Sequence, residues 1–250
     1  MEDLDTPRVR SGSAAEILRV LEALELSWDG AIEYQSSRIE RYAQALETVR
    51  SLGLTYACSC SRADRAGIEV RGYPGTCRAS PTRSGPTSTR FRIEDATRQF
   101  DDRIQGSCEF DLRALGDVIV QRRDRIYAYH LTVVVDDAAQ GVTHVVRGAD
   151  LLASTPWHIE LQRALGLPRP EYAHLPVVVE PGGAKLAKSR RSVAINPHRP
   201  SAALVESLRL LQQDPPAELE GETPAAVLGW ALTHWRPARF SRMPSVPVTG

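Results

Sequence analysis

The sequence predicts an α/β fold. Stretches with helical periodicity alternate with short apolar, β-rich runs over roughly the first 180 residues, the pattern of helices packed on a sheet. The residues beyond about 200 read as helical only, which adds a small helical end. With 42% hydrophobic and 25% charged residues in 250, the chain can bury a sizeable core, as one large domain or two small ones.

The elements follow in order. Ser13 and Glu16 frame a capping box, in which each side chain satisfies a free N–H of the first turn. Its helix places Ile17, Leu18, Leu21 and Leu24 on one face. Asp29 and Gly30 make a turn. Ser37 and Glu40 frame a second capping box, whose helix carries Ile39, Tyr42, Ala43, Leu46 and Val49. Gly53 stops it, because glycine adopts the left-handed C-terminal conformation without a Cβ penalty.

A cysteine segment comes next, with Cys58, Cys60, Tyr73 and Cys77, and then a Pro/Ser/Thr/Gly loop over 81–89. Strands are predicted at 91–93, around Ile104, at 117–120 and at 126–129. The run Val133, Val134 and Val135 suits a strand or a helix core. Residues 141–146 read as a buried strand ended by 147–150, and 155–165 as a helix closed by Gly166. Residues 174–179 read as a further strand. Ala203, Leu204, Leu208 and Leu211 form one helical stripe; Val227, Leu228, Ala231 and Leu232 form another. The tail from Pro237 shows no pattern.

Composition excludes several classes. Basic and acidic residues balance at 31 each, so the chain is not a generic polyanion binder, although a local patch remains open. No apolar run approaches the ~20 residues of a membrane span. The opening MEDLDTPR lacks the basic-then-apolar order of a signal peptide, so a soluble cytoplasmic protein is expected. Four cysteines are too few for a disulfide scaffold.

Four groups of residues could carry chemistry. Cys58, Cys60 and Cys77 could give three thiolates to one zinc ion, which needs a fourth ligand. Tyr73, Cys108 and a histidine are the candidates, and three buried thiols without metal are the alternative. The only two lysines, Lys185 and Lys188, share one short glycine-preceded stretch, G-G-A-K-L-A-K-S, in a chain that otherwise uses arginine. A compact ammonium on a flexible stem beside glycines suits a phosphate, though the spacing is not that of a Walker A loop. Arg147 follows a strand where ligands of open α/β sheets bind, and could hold a carboxylate or pair with Asp150. Tyr129 could face the same crevice, while His130, His144 and His174 read as core histidines. Glu2, Asp3 and Asp5 make an acidic start that reads as a frayed end.

These pieces occur together in one family. The quoted residues are MEDLDTPR, L-x-W-D-G at 26–30, Y-x-x-A-L at 42–46, C-x-C…Y-x-x-x-C, and Q-R-R-D at 121–124. They continue with A-Y-H-L at 128–131, V-V-V-D-D at 133–137, Q-G-V-T at 140–143, V-R-G-A-D-L at 146–151, H-L-P at 174–176 and K-L-A-K-S. Over most of residues 1–195 the sequence resembles the glutamyl-Q tRNA(Asp) synthetases, short relatives of the class I glutamyl-tRNA synthetases. The resemblance implies a class I Rossmann-type catalytic domain over 1–180, with a zinc-bearing insertion at about 54–125. A loop of K-M-S-K-S type and a helical region would fill 181–250, with no anticodon-binding domain. It implies ATP-dependent activation of glutamate with Mg2+, and transfer to queuosine at the wobble position of tRNA(Asp), by a cytoplasmic monomer.

Carried over by position, Cys58, Cys60, Tyr73 and Cys77 would bind one structural Zn2+. Glu2, Tyr129 and Arg147 would bind glutamate. Lys188 would contact ATP, with Lys185 beside it as a second catalytic lysine. The family opens with a H-I-G-H-type motif and a G-R-F-A-P-S-P-like run that this sequence does not contain, so the catalytic domain is expected to be short of its first strand-helix unit. Ala187 stands where the loop motif usually has Ser or Met. Two other readings stand beside an active enzyme: a non-catalytic tRNA-binding remnant, and a glutamyl-tRNA synthetase fragment acting on tRNA(Glu).

Overall fold

The computed structural model describes residues 1–5, 8–61, 64, 72–80, 84–94, 97–180 and 195–247. Two helices open the chain, α1 (Ser13–Ala23) and α2 (Ile39–Ser51). Neither predicted capping box forms. Gly12, in the left-handed region, caps α1, and Ser13 already lies inside the helix. Arg38 caps α2, while the Ser37 hydroxyl donates to the Tyr34 carbonyl. The faces also differ from expectation. On α1 no residue is fully buried and Ile17 is half-exposed. On α2, Tyr42, Leu46 and Val49 point inward, but Ile39 and Ala43 do not. Gly53 ends α2 as expected, with φ +71°.

Three antiparallel strands follow in the order β1 (Thr55–Cys58), β2 (Ser88–Phe91) and β5 (Val118–Gln121). Between β2 and β5 runs the hairpin β3 (Thr97–Asp102) and β4 (Gly106–Asp111). Ile104 lies in its turn rather than in a strand. The one-turn helix α3 (Leu112–Leu115) leads on to β5.

Residues 126–129 do not form a strand. Tyr127 makes a single bridge to Gln121, and Tyr129 begins helix α4 (Tyr129–Ala139). Three consecutive valines cost helix propensity only by a few tenths of a kcal/mol each. The packing outweighs this. Leu131 and Val134 are buried with Leu46 and Val49 of α2 and with Leu161 of α5 (Thr155–Leu165), against Phe91, Val118 and Val120 of the sheet. Asp136 ties α4 to α2 by accepting from the Tyr42 hydroxyl and the Gln35 amide.

The second sheet has the order β4-β3-β7-β6, with β6 (His144–Gly148) and β7 (Glu171–Leu175) parallel. A 3-10 turn (Ala149–Ser154) and α5 connect them, a βαβ crossover closed by Gly166 at φ +65°. The predicted buried strand at 141–146 therefore starts later. Among the described residues it is an edge strand, and Val146 is 63% exposed. The predicted strand at 174–179 is two. Pro176, with no N–H to donate, separates β7 from β8 (Val177–Val179), which pairs in parallel with β9 (Ser245–Pro247). The tail that showed no pattern thus returns to the body of the protein and buries Phe240 completely.

Helices α6 (Pro200–Leu210) and α7 (Pro224–His234) pack through Val205, Leu208 and Val227. Val205 was absent from the predicted stripe, and Leu232, which was in it, is 84% exposed.

Candidate functional site

The βαβ crossover places Arg147 near the carboxyl end of β6, with His174 as its register partner on β7. Helix α5 brings Thr155 and His158 beneath them, and the first turn of α4 brings Tyr129 and His130. Every N–H of Arg147 then has an acceptor. Nε donates to His174 Nε2 at 3.0 Å. Nη1 faces the Tyr129 hydroxyl at 3.3 Å and His158 Nδ1 at 3.1 Å. Nη2 donates to the Leu151 carbonyl at 3.3 Å and Thr155 Oγ1 at 2.8 Å. The alternative of a simple turn-closing pair with Asp150 does not describe this arrangement.

Two of these acceptors are imidazole nitrogens, which can accept only when neutral. Burial, and next the charge of Arg147, push the acceptor His158 well below its ordinary range, and push His130, whose Nδ1 lies 3.1 Å from His158 Nε2, down to about 4. Burial likewise raises the Tyr129 hydroxyl, against the pull of Arg147. His174, fully buried with both ring nitrogens hydrogen-bonded, is a satisfied core histidine as expected, and the part-buried His130 joins the same polar cluster through His158. His144 is exposed and faces Glu171 at 3.6 Å. His158 was not singled out in the sequence; a lone histidine in an amphipathic helix gives no local signal.

Tyr129, His130 and Glu2 line a cavity of about 580 Å³, together with Tyr73, Arg90 and Trp157. The acidic start is tied down rather than frayed. Asp3 accepts from the Ser36 N–H and hydroxyl, and Asp5 accepts from Arg122. Glu2 is thereby held at the cavity wall, its carboxyl raised chiefly by burial. Asp137 is raised to about 6, again by burial first, with Arg147 opposing. The cavity wall therefore offers the Glu2 carboxylate for an ammonium group, and Arg147, in contact with the wall residue Tyr129, is a fixed cation for a carboxylate.

The cysteine segment forms a cluster beside this cavity. Cys58 closes β1, and Cys77 lies in the turn after Gly75, whose φ is +81°. The sulfurs of Cys58, Cys60 and Cys77 all lie within 4.8 Å of one another, and Cys60 and Cys77 are 3.5 Å apart. The Tyr73 hydroxyl is 3.3 Å from Cys58 Sγ and 3.4 Å from Cys60 Sγ. A tetrahedral zinc with bonds of about 2.3 Å sets its sulfurs about 3.8 Å apart, so this donor set fits the ion. Cys108 packs instead with Phe100 and Tyr172. Arg90 lies 3.7 Å over the Tyr73 ring and donates to the Asp117 carbonyl. Tyr73 therefore belongs to both the cluster and the cavity wall.

Lys185 and Lys188 lie outside the described residues. Of the sequence-predicted site residues, Glu2 and Tyr129 share the cavity, Arg147 contacts Tyr129, and the cysteines with Tyr73 share the adjacent cluster.

Residues 1–213 match the family model described as tRNA synthetases class I (E and Q), catalytic domain. A glutamyl-Q tRNA(Asp) synthetase of Pseudomonas paraeruginosa is 45% identical over 251 aligned positions, covering 99% of this chain and 84% of that protein. One from Thiobacillus denitrificans is 46% identical over 257, with the same coverage. Among solved structures, a glutamate-tRNA synthetase from Elizabethkingia anophelis superposes with a TM-score of 0.75 at 21% identity, covering all of this chain and 60% of the other. A glutamate tRNA ligase from Elizabethkingia meningosepticum, in complex with its amino acid, also gives 0.75, at 20% identity and 59% coverage of that chain. The chain thus spans about three-fifths of the length of those two enzymes and shares their fold.

Proposed function

The chain belongs to the class I (E and Q) tRNA synthetases, and from that premise we propose that it activates glutamate with ATP and transfers it to queuosine in tRNA(Asp). The observation that carries the reading is the convergence of Glu2, Tyr129 and Arg147 on one side of the molecule, from positions far apart in sequence. The similarity of the glutamyl-Q tRNA(Asp) synthetases over nearly the whole chain supports the choice of acceptor.

In this mechanism Glu2 takes the ammonium group of glutamate. Arg147 and Tyr129 take a carboxylate, which favours an acidic amino acid over its amide. The substrate exchanges for the longest of Arg147's contacts, those to Tyr129 and Leu151. Catalysis is positioning and charge stabilisation: the substrate carboxylate attacks the α-phosphate of ATP, and pyrophosphate leaves. Lys188, with Lys185 beside it, stabilises the charge developing on the phosphates. Mg2+ accompanies ATP. Cys58, Cys60, Tyr73 and Cys77 would hold one zinc ion, which supplies a structural cross-link and no open position for chemistry. The organisation proposed is a catalytic domain to about 180 with the insertion at 54–125, then the lysine loop and a helical region. The place of action is the cytoplasm; no helix among the described residues is long and apolar enough to cross a membrane.

The test is glutamate-dependent ATP–pyrophosphate exchange, followed by charging of queuosine-containing tRNA(Asp) and of tRNA(Glu). Exchange with glutamate and charging of tRNA(Asp) alone is expected. Charging of tRNA(Glu) would move the reading to a glutamyl-tRNA synthetase, and absence of both activities to a non-catalytic tRNA-binding protein. Lys188→Ala should lower the exchange rate at least tenfold with an unchanged thermal midpoint; unfolding would make the loop structural.

A further inference from the structure

One of the five acceptors around Arg147, His174 Nε2, belongs to a ring that is itself held by a second buried side chain. His174 Nδ1 lies 2.6 Å from Asp102 Oδ2, and both side chains are fully buried. The other oxygen of Asp102 accepts the backbone N–H groups of Ile104, Gln105 and His174, at 3.0, 2.8 and 3.1 Å. Burial works to raise this carboxyl, but the hydrogen bonds from His174 and from these N–H groups prevail and hold it below its ordinary value. An ionised Asp102 only accepts, so His174 carries its proton on Nδ1. Its Nε2 lone pair then faces Arg147, where Nε–H donates at 3.0 Å and Thr155 Oγ1 lies at 3.3 Å. The ring is fixed further by stacking on Tyr172, with centroids 6.1 Å apart and planes 18° apart.

The geometry points to Asp102 and His174 as positioning residues that orient the Arg147 guanidinium, and so set the affinity of the crevice for glutamate. This rests on the proposed function for the identity of the ligand, but the proton arrangement does not. Asp102 sits at the end of β3, where that strand pairs with β7 at Tyr172, so the hairpin β3–β4 joins the parallel strands at the point where the relay begins. Asp102 also supplies a negative charge behind His174, on the far side of the ring from the part-buried guanidinium. Reversing the tautomer would place an N–H of His174 against the Nε–H of Arg147, two donors without an acceptor between them.

The experiment is 15N-histidine NMR of the full chain, with glutamate and then ATP titrated into the same samples. His174 is assigned by its loss in His174→Phe. In the unaltered protein the proton of His174 is expected on Nδ1. In Asp102→Asn the amide N–H2 can donate to Nδ1, so the proton should move to Nε2. The glutamate Kd should then rise roughly 10- to 100-fold, the range for losing one hydrogen bond to a charged group, with the ATP Kd within twofold. His174→Gln can still donate at one end and accept at the other, and should keep glutamate affinity within a few-fold, whereas His174→Phe should lose it. If Asp102→Asn does not fold, the two His174 variants decide the matter. A proton on Nε2 in the unaltered protein overturns the proposal, and so does equal glutamate affinity in His174→Gln and His174→Phe. If the unaltered protein binds no glutamate while His174 carries its proton on Nδ1, the relay stands as the device that orients Arg147 and the proposed function falls.

Discussion

Replacing Arg147 by methionine keeps most of the stem and removes all five donors and the charge. Thr155 Oγ1 can turn its hydrogen to His174 Nε2, and the Tyr129 hydroxyl has the cavity beside it. His158 Nδ1 and the Leu151 carbonyl lose their donor from Arg147. At about 1–3 kcal/mol for each buried group left unpaired, the variant should lose roughly 2–6 kcal/mol near pH 7.5. For a chain of this size that lowers the thermal midpoint by on the order of 10 °C. The penalty should shrink on acidification. His130 is depressed to about 4 from 6.5, so its contribution is fully present above about pH 6.5 and is lost as pH falls through about 4. His158 behaves in the same direction. Without Arg147 both histidines rise toward their ordinary values, and the variant loses less stability than the parent in that window. Asp137 acts with the same sign: its pKa, raised to about 6, would rise further without Arg147, which costs stability only where the group ionises, above about 6. Urea denaturation at pH 7.5 and pH 5 measures both. A difference in unfolding free energy that is the same at the two pH values, within about 0.5 kcal/mol, would refute the argument that Arg147 electrostatics hold these groups in place.

Three further outcomes are expected. Cys77→Ser should reduce zinc, measured by elemental analysis of protein purified without chelator, from about one ion per chain to well under half; undiminished zinc would remove Cys77 from the ligand set. Gly116 has φ +68°, and a Cβ there would stand 2.3 Å from the Tyr73 carbonyl oxygen and 2.4 Å from its nitrogen. Gly116→Ala should therefore cost about 3 kcal/mol or more and displace Tyr73, weakening zinc retention against a chelator; a fully stable variant that holds zinc normally would contradict the contact. The buried Asp117 carboxylate accepts from the Tyr56 hydroxyl, from Nε and Nη2 of Arg78, and from the Ile93 N–H. Asp117→Asn puts an amide against some of these donors. It should lower the urea midpoint by an amount equivalent to about 3 kcal/mol, the low end for breaking a buried pair, because Arg78 is part-exposed and can rehydrate.

The helices of residues 39–51 and 155–165 were legible because their signals are local: a period near 3.6 and a glycine that can turn left-handed. Residues 129–139 were not, because intrinsic preference in a β-branched run is weak and the decision falls to packing between α2, α5 and the sheet. The capping boxes failed for a related reason: a serine three residues before a glutamate marks a possible cap, but the chain entering the helix chooses the capping residue. The break at Pro176 could have been read locally, from the missing N–H.

The site divides along the same line. The chemistry available was set by the sequence: three cysteines at ligand spacing, with the fourth ligand named only by the family resemblance, two lysines in one loop, and motifs close enough together along the chain to identify the family. That information is carried by residue type and short-range order. The convergence of Glu2 with Tyr129, the five acceptors around Arg147 and the Asp102–His174 pair, 72 residues apart, were settled only by the tertiary structure. A hydrogen bond between distant residues depends on which strands pair and in what register, and no local property of either residue encodes its partner.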